Sequence, residues 1–180
     1  MFLEPADFPF VRVLEERFET FRREAAALRR EDYVPWPEKE AALGEWLVFP
    51  LIVESYREFL GIDLGPFRSR CPKSTAILEG LGNVAIGGFS RLEPGAHILP
   101  HVDGQGRGVV RCHLGLRVPP RGYLRMAGEV RTWEEGKCLV FDVNVLHDAA
   151  NLGTEPRVVL LADIRIPSER PGPGTPATPR

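Results

Sequence analysis

From Gly82 onward the chain is built of short β-type runs punctuated by Gly and Pro, and this spacing restricts the fold more than any other feature. The runs Asn83–Arg91, Ile98–Asp103, Val109–Val118, Tyr123–Ala127, Lys137–Phe141 and Arg157–Ile166 follow one another closely, with turn signals between them. Short strands at such intervals predict an all-β sandwich or barrel rather than a parallel α/β sheet.

Ahead of Gly82 the apolar period is different. Phe10, Leu14, Phe18, Phe21, Ala25 and Leu28 recur every three or four positions with Glu and Arg between them, the period of one helix with a single buried face. Asp7 is a suitable cap, with Pro9 in the first turn. Pro35 and Pro37 end that helix, because the residue before a proline is pushed towards extended backbone. A shorter helix is expected over Glu38–Leu43, a buried strand over Trp46–Ile52, and a short helix over Thr75–Leu81 closed near a glycine. Ser55–Leu60 is too short to assign. The reading is a single domain over residues 1–166, with a helical part over 1–81 flanking a β core over 82–166. The tail over 167–180, rich in Pro, Gly and Thr, cannot repay its ordering entropy and is expected to be disordered.

Composition excludes several functions. A chain of 180 residues with 43% hydrophobic and 27% charged residues has the makings of an ordinary core. Its 23 Lys and Arg against 25 Asp and Glu offer no basic excess for nucleic acid. The N-terminus carries acids where a signal peptide needs bases, and no apolar run is long enough to span a bilayer, so a cytoplasmic protein without a membrane partner is expected. Cys71, Cys112 and Cys138 fit neither a disulfide framework nor a paired zinc site, and read as reduced core thiols.

All four histidines, His97, His101, His113 and His147, fall between Glu93 and Asp163. In a strand alternate side chains share a face, so His101 and Asp103 would project together. Completed by a distant histidine, such a pair forms the facial triad of non-haem Fe(II) oxygenases. His147, after the strand Cys138–Asp142, is the natural third ligand. The alternatives are a solvated surface tripeptide for the first pair and a satisfied, partly buried histidine for the second. Along Val109–Leu116, Arg111, His113 and Gly115 share one face and Cys112, Leu114 and Leu116 the other. No acid on the neighbouring strand positions offers itself to Arg111, so a bound anion is a candidate partner, since burying a lone cation costs several kcal/mol. Arg157 is suited to clamp a carboxylate with two hydrogen bonds, or else pairs with Glu155 or Asp163 at a strand end.

Read together, Gly87–His97, Pro100–Asp103, Arg111–Leu116, Trp133–Lys137, Phe141–Asp142 and His147 resemble the aspartyl/asparaginyl β-hydroxylase family, with Gly44–Trp46 and Cys71–Pro72 upstream. The resemblance runs from about Trp46 to Ile166. It implies a mainly β, double-stranded β-helix (jelly-roll, cupin-like) core and dependence on Fe(II), 2-oxoglutarate and O2. By position it implies His101 and His147 as iron ligands, Ser90 and Arg157 on the distal carboxylate of 2-oxoglutarate, and Arg111 with His113 near its chelating end. Animal aspartyl/asparaginyl hydroxylases have glycine at the position of Asp103. Bacterial lipid A hydroxylases and several amino-acid hydroxylases have the acid, as this chain does, so His101, Asp103 and His147 are expected to form the complete metal site. The implied reaction converts 2-oxoglutarate to succinate and carbon dioxide while hydroxylating an unactivated C–H bond. The expected substrate is an amino-acid side chain, free, carrier-bound or in a peptide. Alternatives are a non-catalytic metal- or ligand-binding barrel, and a hydroxylase of another small molecule or a lipid acyl chain.

Overall fold

The computed structural model describes residues 1–54, 61–103 and 108–166. The expectations for Ser55–Leu60 and for the tail fall outside them. In chain order the elements are β1 (Phe2–Leu3), α1 (Pro9–Glu16), α2 (Phe18–Ala26), β2 (Val34–Pro35), β3 (Ala42–Leu43), β4 (Trp46–Val53), α3 (Gly65–Arg70), α4 (Pro72–Leu81), β5 (Val84–Leu92), β6 (His97–His101), β7 (Val109–Arg117), β8 (Gly122–Met126), β9 (Glu129–Arg131), β10 (Cys138–Phe141), β11 (His147–Asn151) and β12 (Arg157–Arg165).

The strands form a seven-stranded sheet in the order β1-β10-β7-β12-β5-β4-β2 and a five-stranded sheet in the order β3-β6-β11-β8-β9. Every ladder between them is antiparallel. From β5 on, the chain passes back and forth between the sheets: β5, β7, β10 and β12 lie in the larger, while β6, β8, β9 and β11 lie in the smaller. This winding of facing, open sheets is a double-stranded β-helix.

Alternation along the strands explains the layering. Cys112, Leu114, Leu116, Val158, Leu160 and Ala162 point to one side of the larger sheet, where Phe10, Leu14, Phe21 and Leu28 cover them. The opposite face carries Trp46, Ile86, Leu92, Val159 and Leu161, which meet Ile98, Leu124 and Met126 of the smaller sheet. The larger sheet is therefore a middle layer, which is why β12 is buried at each position from Arg157 to Ile164 although its ladders are antiparallel. Polar residues placed on its inner face, between the sheets, are thereby removed from solvent.

The N-terminal helix expected from the period is two helices. Arg17, at φ −101° and ψ 8°, interrupts it after Glu16. The apolar face continues across the break, but α1 packs against β10 and β7 whereas α2 packs against β7 and α4, so the bend keeps both on a curved sheet. Asp7 does not cap α1; it belongs to a 3-10 turn over Pro5–Asp7, and Phe8 stands at the cap. The helix expected over Glu38–Leu43 is a 3-10 turn over Lys39–Ala41 followed by β3, which pairs Ala42 with Ile98 and Leu43 with His97. An open strand edge on β6 overrides local helical preference there. β11 and β9, unassigned in sequence, are short, and polar residues interrupt them. Cys71, Cys112 and Cys138 are buried free thiols.

One glycine controls how a loop reaches the inner face. A Cβ on Gly115 would stand 2.2 Å from the Glu134 carbonyl oxygen. Gly115 donates to Lys137 O at 3.1 Å and accepts from Gly136 N at 2.9 Å. Gly115→Ala is expected to destabilise the protein by about 1–3 kcal/mol through overpacking. Urea denaturation reads this; an unchanged midpoint would show that the loop can lift away freely.

Candidate metal centre and anion pocket

His101 ends β6 and His147 begins β11, and the two are direct cross-strand partners. Their ring centroids lie 4.4 Å apart. Each Nδ1 faces the carbonyl two residues earlier in the chain: His101 Nδ1 and Leu99 O at 2.7 Å, His147 Nδ1 and Val145 O at 2.8 Å. A carbonyl only accepts, so both rings carry their proton on Nδ1 and leave Nε2 as a bare lone pair. This is how metal-binding imidazoles are oriented by the groups behind them.

Both lone pairs face Asp103. His101 Nε2 is 3.7 Å from Asp103 Oδ1, and His147 Nε2 is 3.4 Å from Asp103 Oδ2. One donor atom from each of the three residues lies within 4.8 Å of the others. Neighbouring donors around an ion at about 2.1 Å from each are about 3 Å apart, so a small inward movement would close the set. Two imidazoles and a carboxylate suit a ferrous ion with open positions. Asp103 lies two residues past the end of β6, and its backbone N–H donates to Val143 O at 3.1 Å. It is thus held by a loop, rather than by the strand alternation that the sequence suggested. Burial pushes its pKa up, but the Arg111 cation, the largest of the opposing influences, holds the carboxyl below the usual carboxylate range. Burial lowers the pKa of His101.

Arg111 departs from expectation. Its Nε and Nη2 donate to Asp163 Oδ1 and Oδ2 at 2.6 and 2.8 Å, and its Nη1 donates to Asp103 Oδ2 at 3.1 Å. Asp163 on β12 is the Cα partner of Arg111 on β7. The neighbouring strand therefore does offer an acid, and the anion needed by Arg111 is supplied within the fold. The inward side chain of Asp163, fully buried, fixes a guanidinium that in turn holds Asp103.

Arg157 is the opposite case. Glu155 pairs with Arg117 at 2.6 Å and Asp163 with Arg111, so neither strand-end acid serves Arg157. At 1% exposure, its Nη1 reaches Ser90 O and Oγ only at 3.5 Å, and its Nε and Nη2 have no hydrogen-bond partner among the described residues. Burial pushes its pKa down to about 9, which leaves it charged at neutral pH. Its guanidinium lies 4.7 Å from the centroid of Trp133. Ser90 Oγ accepts from Trp46 Nε1 at 3.0 Å. Trp133 Nε1 donates to His113 Nδ1 at 3.2 Å, and His113 Nε2, also buried, has no partner among the described residues.

Ser90, Arg111, His113 and Arg157 line one small cavity with His101 and His147. Ile98, Leu124, Phe141 and Leu161 form its apolar walls. His97 stays apart, with Nε2 at 3.0 Å from Asp148 Oδ2, while Arg125 holds the other oxygen of that carboxylate at 2.7 Å. Trp46 and Trp133 are the site residues given no role from sequence, and Asp163 was considered only as a partner of Arg157. Asp163 had a signal, since it lies six residues after Arg157 and so shares its face.

Residues 15–167 match the aspartyl/asparaginyl β-hydroxylase family. The chain belongs to that family. It is 33% identical over 172 residues to aspartate beta-hydroxylase domain-containing protein 2 of Xenopus tropicalis, covering 88% of this chain and 45% of the relative. Over 104 residues it is 39% identical to the ornithine lipid ester-linked acyl 2-hydroxylase of Rhizobium tropici, covering 56% of this chain and 37% of the relative. The chain thus spans less than half the length of these relatives. A prolyl-4-hydroxylase of Pseudomonas putida shares the fold, with a TM-score of 0.52 and 20% identity over 84% of this chain and 88% of that one. Among the described residues, no helix is long and apolar enough to cross a membrane.

Proposed function

We propose that this member of the family is an Fe(II)- and 2-oxoglutarate-dependent dioxygenase that hydroxylates an amino-acid side chain, free, carrier-bound or in a peptide. The observation that carries this reading is the unpaired, buried Arg157 guanidinium in the same cavity as His101 and His147. A cation removed from water without a counter-ion is costly, and a ligand carboxylate at Nε and Nη2 would relieve that cost.

His101, Asp103 and His147 would hold the ferrous ion. Bound iron would supply the oxidising power that turns 2-oxoglutarate and dioxygen into succinate and carbon dioxide and places one oxygen atom on the substrate. The chain's own part is geometric and electrostatic. Arg157 and the Ser90 hydroxyl would receive the distal carboxylate, while the His113 Nε2–H is available to the same ligand. Arg111, neutralised by Asp163, would keep Asp103 ionised and aimed. Ile98, Leu124, Phe141 and Leu161 would exclude water from the cavity, which strengthens each of these contacts.

Arg157→Met is the test. The 2-oxoglutarate concentration for half-maximal succinate release should rise about 10- to 100-fold, the equivalent of losing a charge-assisted pair of hydrogen bonds. Iron binding should be retained. An unchanged requirement would remove Arg157 from the site and with it the reading.

A second reading concerns the substrate alone. Val102 and Leu146, each adjacent in sequence to one of the two histidines, are 50% and 58% exposed, so apolar surface borders the metal site. Together with the likeness to the acyl 2-hydroxylase, this favours a lipid acyl chain as the alternative. Gain of one oxygen atom by acyl chains but by no amino acid or peptide, read by mass spectrometry, would decide for it.

A further inference from the structure

Two groups in the cavity, Arg157 and His113, hold buried polar atoms without partners among the described residues, and one side chain touches both. Trp133 donates its indole N–H to His113 Nδ1 at 3.2 Å and lays its ring 4.7 Å from the Arg157 guanidinium carbon. An indole N–H can only donate, so the nitrogen that receives it is bare and the proton of the neutral imidazole sits on Nε2. Burial first, then the Arg157 and Arg111 cations, keep that ring neutral. The Nε2–H therefore stands as a donor in the cavity that Arg157 also lines.

The indole is placed by contacts of its loop that owe nothing to a ligand. Its loop is tied to β7 two residues beyond His113 through the paired Gly115 and Glu135, the bonds from Gly115 N to Lys137 O and from Gly136 N to Gly115 O, and Val118 N donating to Glu135 Oε1 at 3.2 Å. A merely structural tryptophan needs some acceptor for its N–H, and a carbonyl would serve. Spending it on an imidazole orphans the imidazole's other nitrogen, which costs free energy unless a ligand accepts from it.

We infer that Trp133 is the positioning residue of the anion pocket: it sets the His113 tautomer and covers one guanidinium face of Arg157, so that both groups are presented ready-made to a dicarboxylate. This rests on the dioxygenase reading. Such preorganisation lowers the cost of binding, because no side chain has to be ordered when the anion arrives. Trp133 touches the donors and not the reacting atoms.

The first measurement is on the wild-type protein, by long-range nitrogen–proton spectra of labelled histidine. His113 should be protonated on Nε2; protonation on Nδ1 overturns the inference without any variant. The second is calorimetric titration, without oxygen and with ferrous ion present, of 2-oxoglutarate and of succinate, which has no keto group to chelate. Trp133→Phe keeps a ring but loses the N–H, and should weaken both ligands about five- to tenfold while releasing the His113 tautomer. Trp133→Leu, which also uncovers Arg157, should weaken both about a hundredfold. Wild-type affinity in Trp133→Phe, with wild-type protein binding 2-oxoglutarate, overturns the role of Trp133 alone. Wild-type protein that binds neither ligand overturns it together with the dioxygenase reading.

Discussion

His101→Ala is expected to lower succinate release from 2-oxoglutarate by more than about a hundredfold, since loss of a group merely orienting a metal ligand costs about 10- to 100-fold and here the ligand itself is gone. The His101 ring supplies one of the two bare Nε2 lone pairs, and its Nδ1 is committed to Leu99 O, so the ring cannot be replaced by a shift of its neighbours. Binding of a divalent ion, measured by equilibrium dialysis with manganese, should weaken in parallel. His97→Ala provides the contrast. His97 is bound to Asp148, outside the cluster, and its loss should leave turnover in place. Full turnover in His101→Ala would reject the ligand assignment.

Asp163→Leu is expected to destabilise the fold by about 3–5 kcal/mol, the cost of breaking a buried ion pair by removing one member. Both oxygens of Asp163 are used by Arg111, and both residues are nearly inaccessible, at 0% and 2% exposure. The double variant Asp163→Leu, Arg111→Met should recover most of that loss, because an apolar pair can replace a buried ion pair when both charges go together. It should not recover iron affinity, since Asp103 would lose the guanidinium that holds its Oδ2. Urea denaturation and ion binding, measured on the same proteins, separate the two effects. A single variant as stable as wild type would mean that Asp103 alone suffices as the counter-ion of Arg111.

Most strands were legible because their signal is local: apolar and β-branched runs between turn residues. Val109–Val118 and Arg157–Ile166 differ from the observed β7 and β12 by a single residue at their C-terminal ends. The misplaced N-terminal cap and the expected helix before β3 have a common cause. Local propensity is worth tenths of a kcal/mol per residue, and pairing with an open edge or draping over a curved sheet is worth more. The alternation of β7 was also legible, and it put Arg111 and His113 on the inner face.

The partner of Arg111 was not legible, because it depends on register between β7 and β12, strands some fifty residues apart; Asp163 could be given to either arginine until Cα partners were known. The same applies to Trp133, whose importance comes from a loop folded over Gly115.

By itself, the sequence determined the strand-rich architecture, the amphipathic helical cover and the set of candidate residues for a metal and an anion, because periodicity and side-chain chemistry are properties of neighbours along the chain. Tertiary structure alone decided which arginine is neutralised by an acid and which has none among the described residues, and which tryptophan touches both Arg157 and His113. Those outcomes follow from strand register and burial, which set the distance between charges and the price of leaving one unpaired.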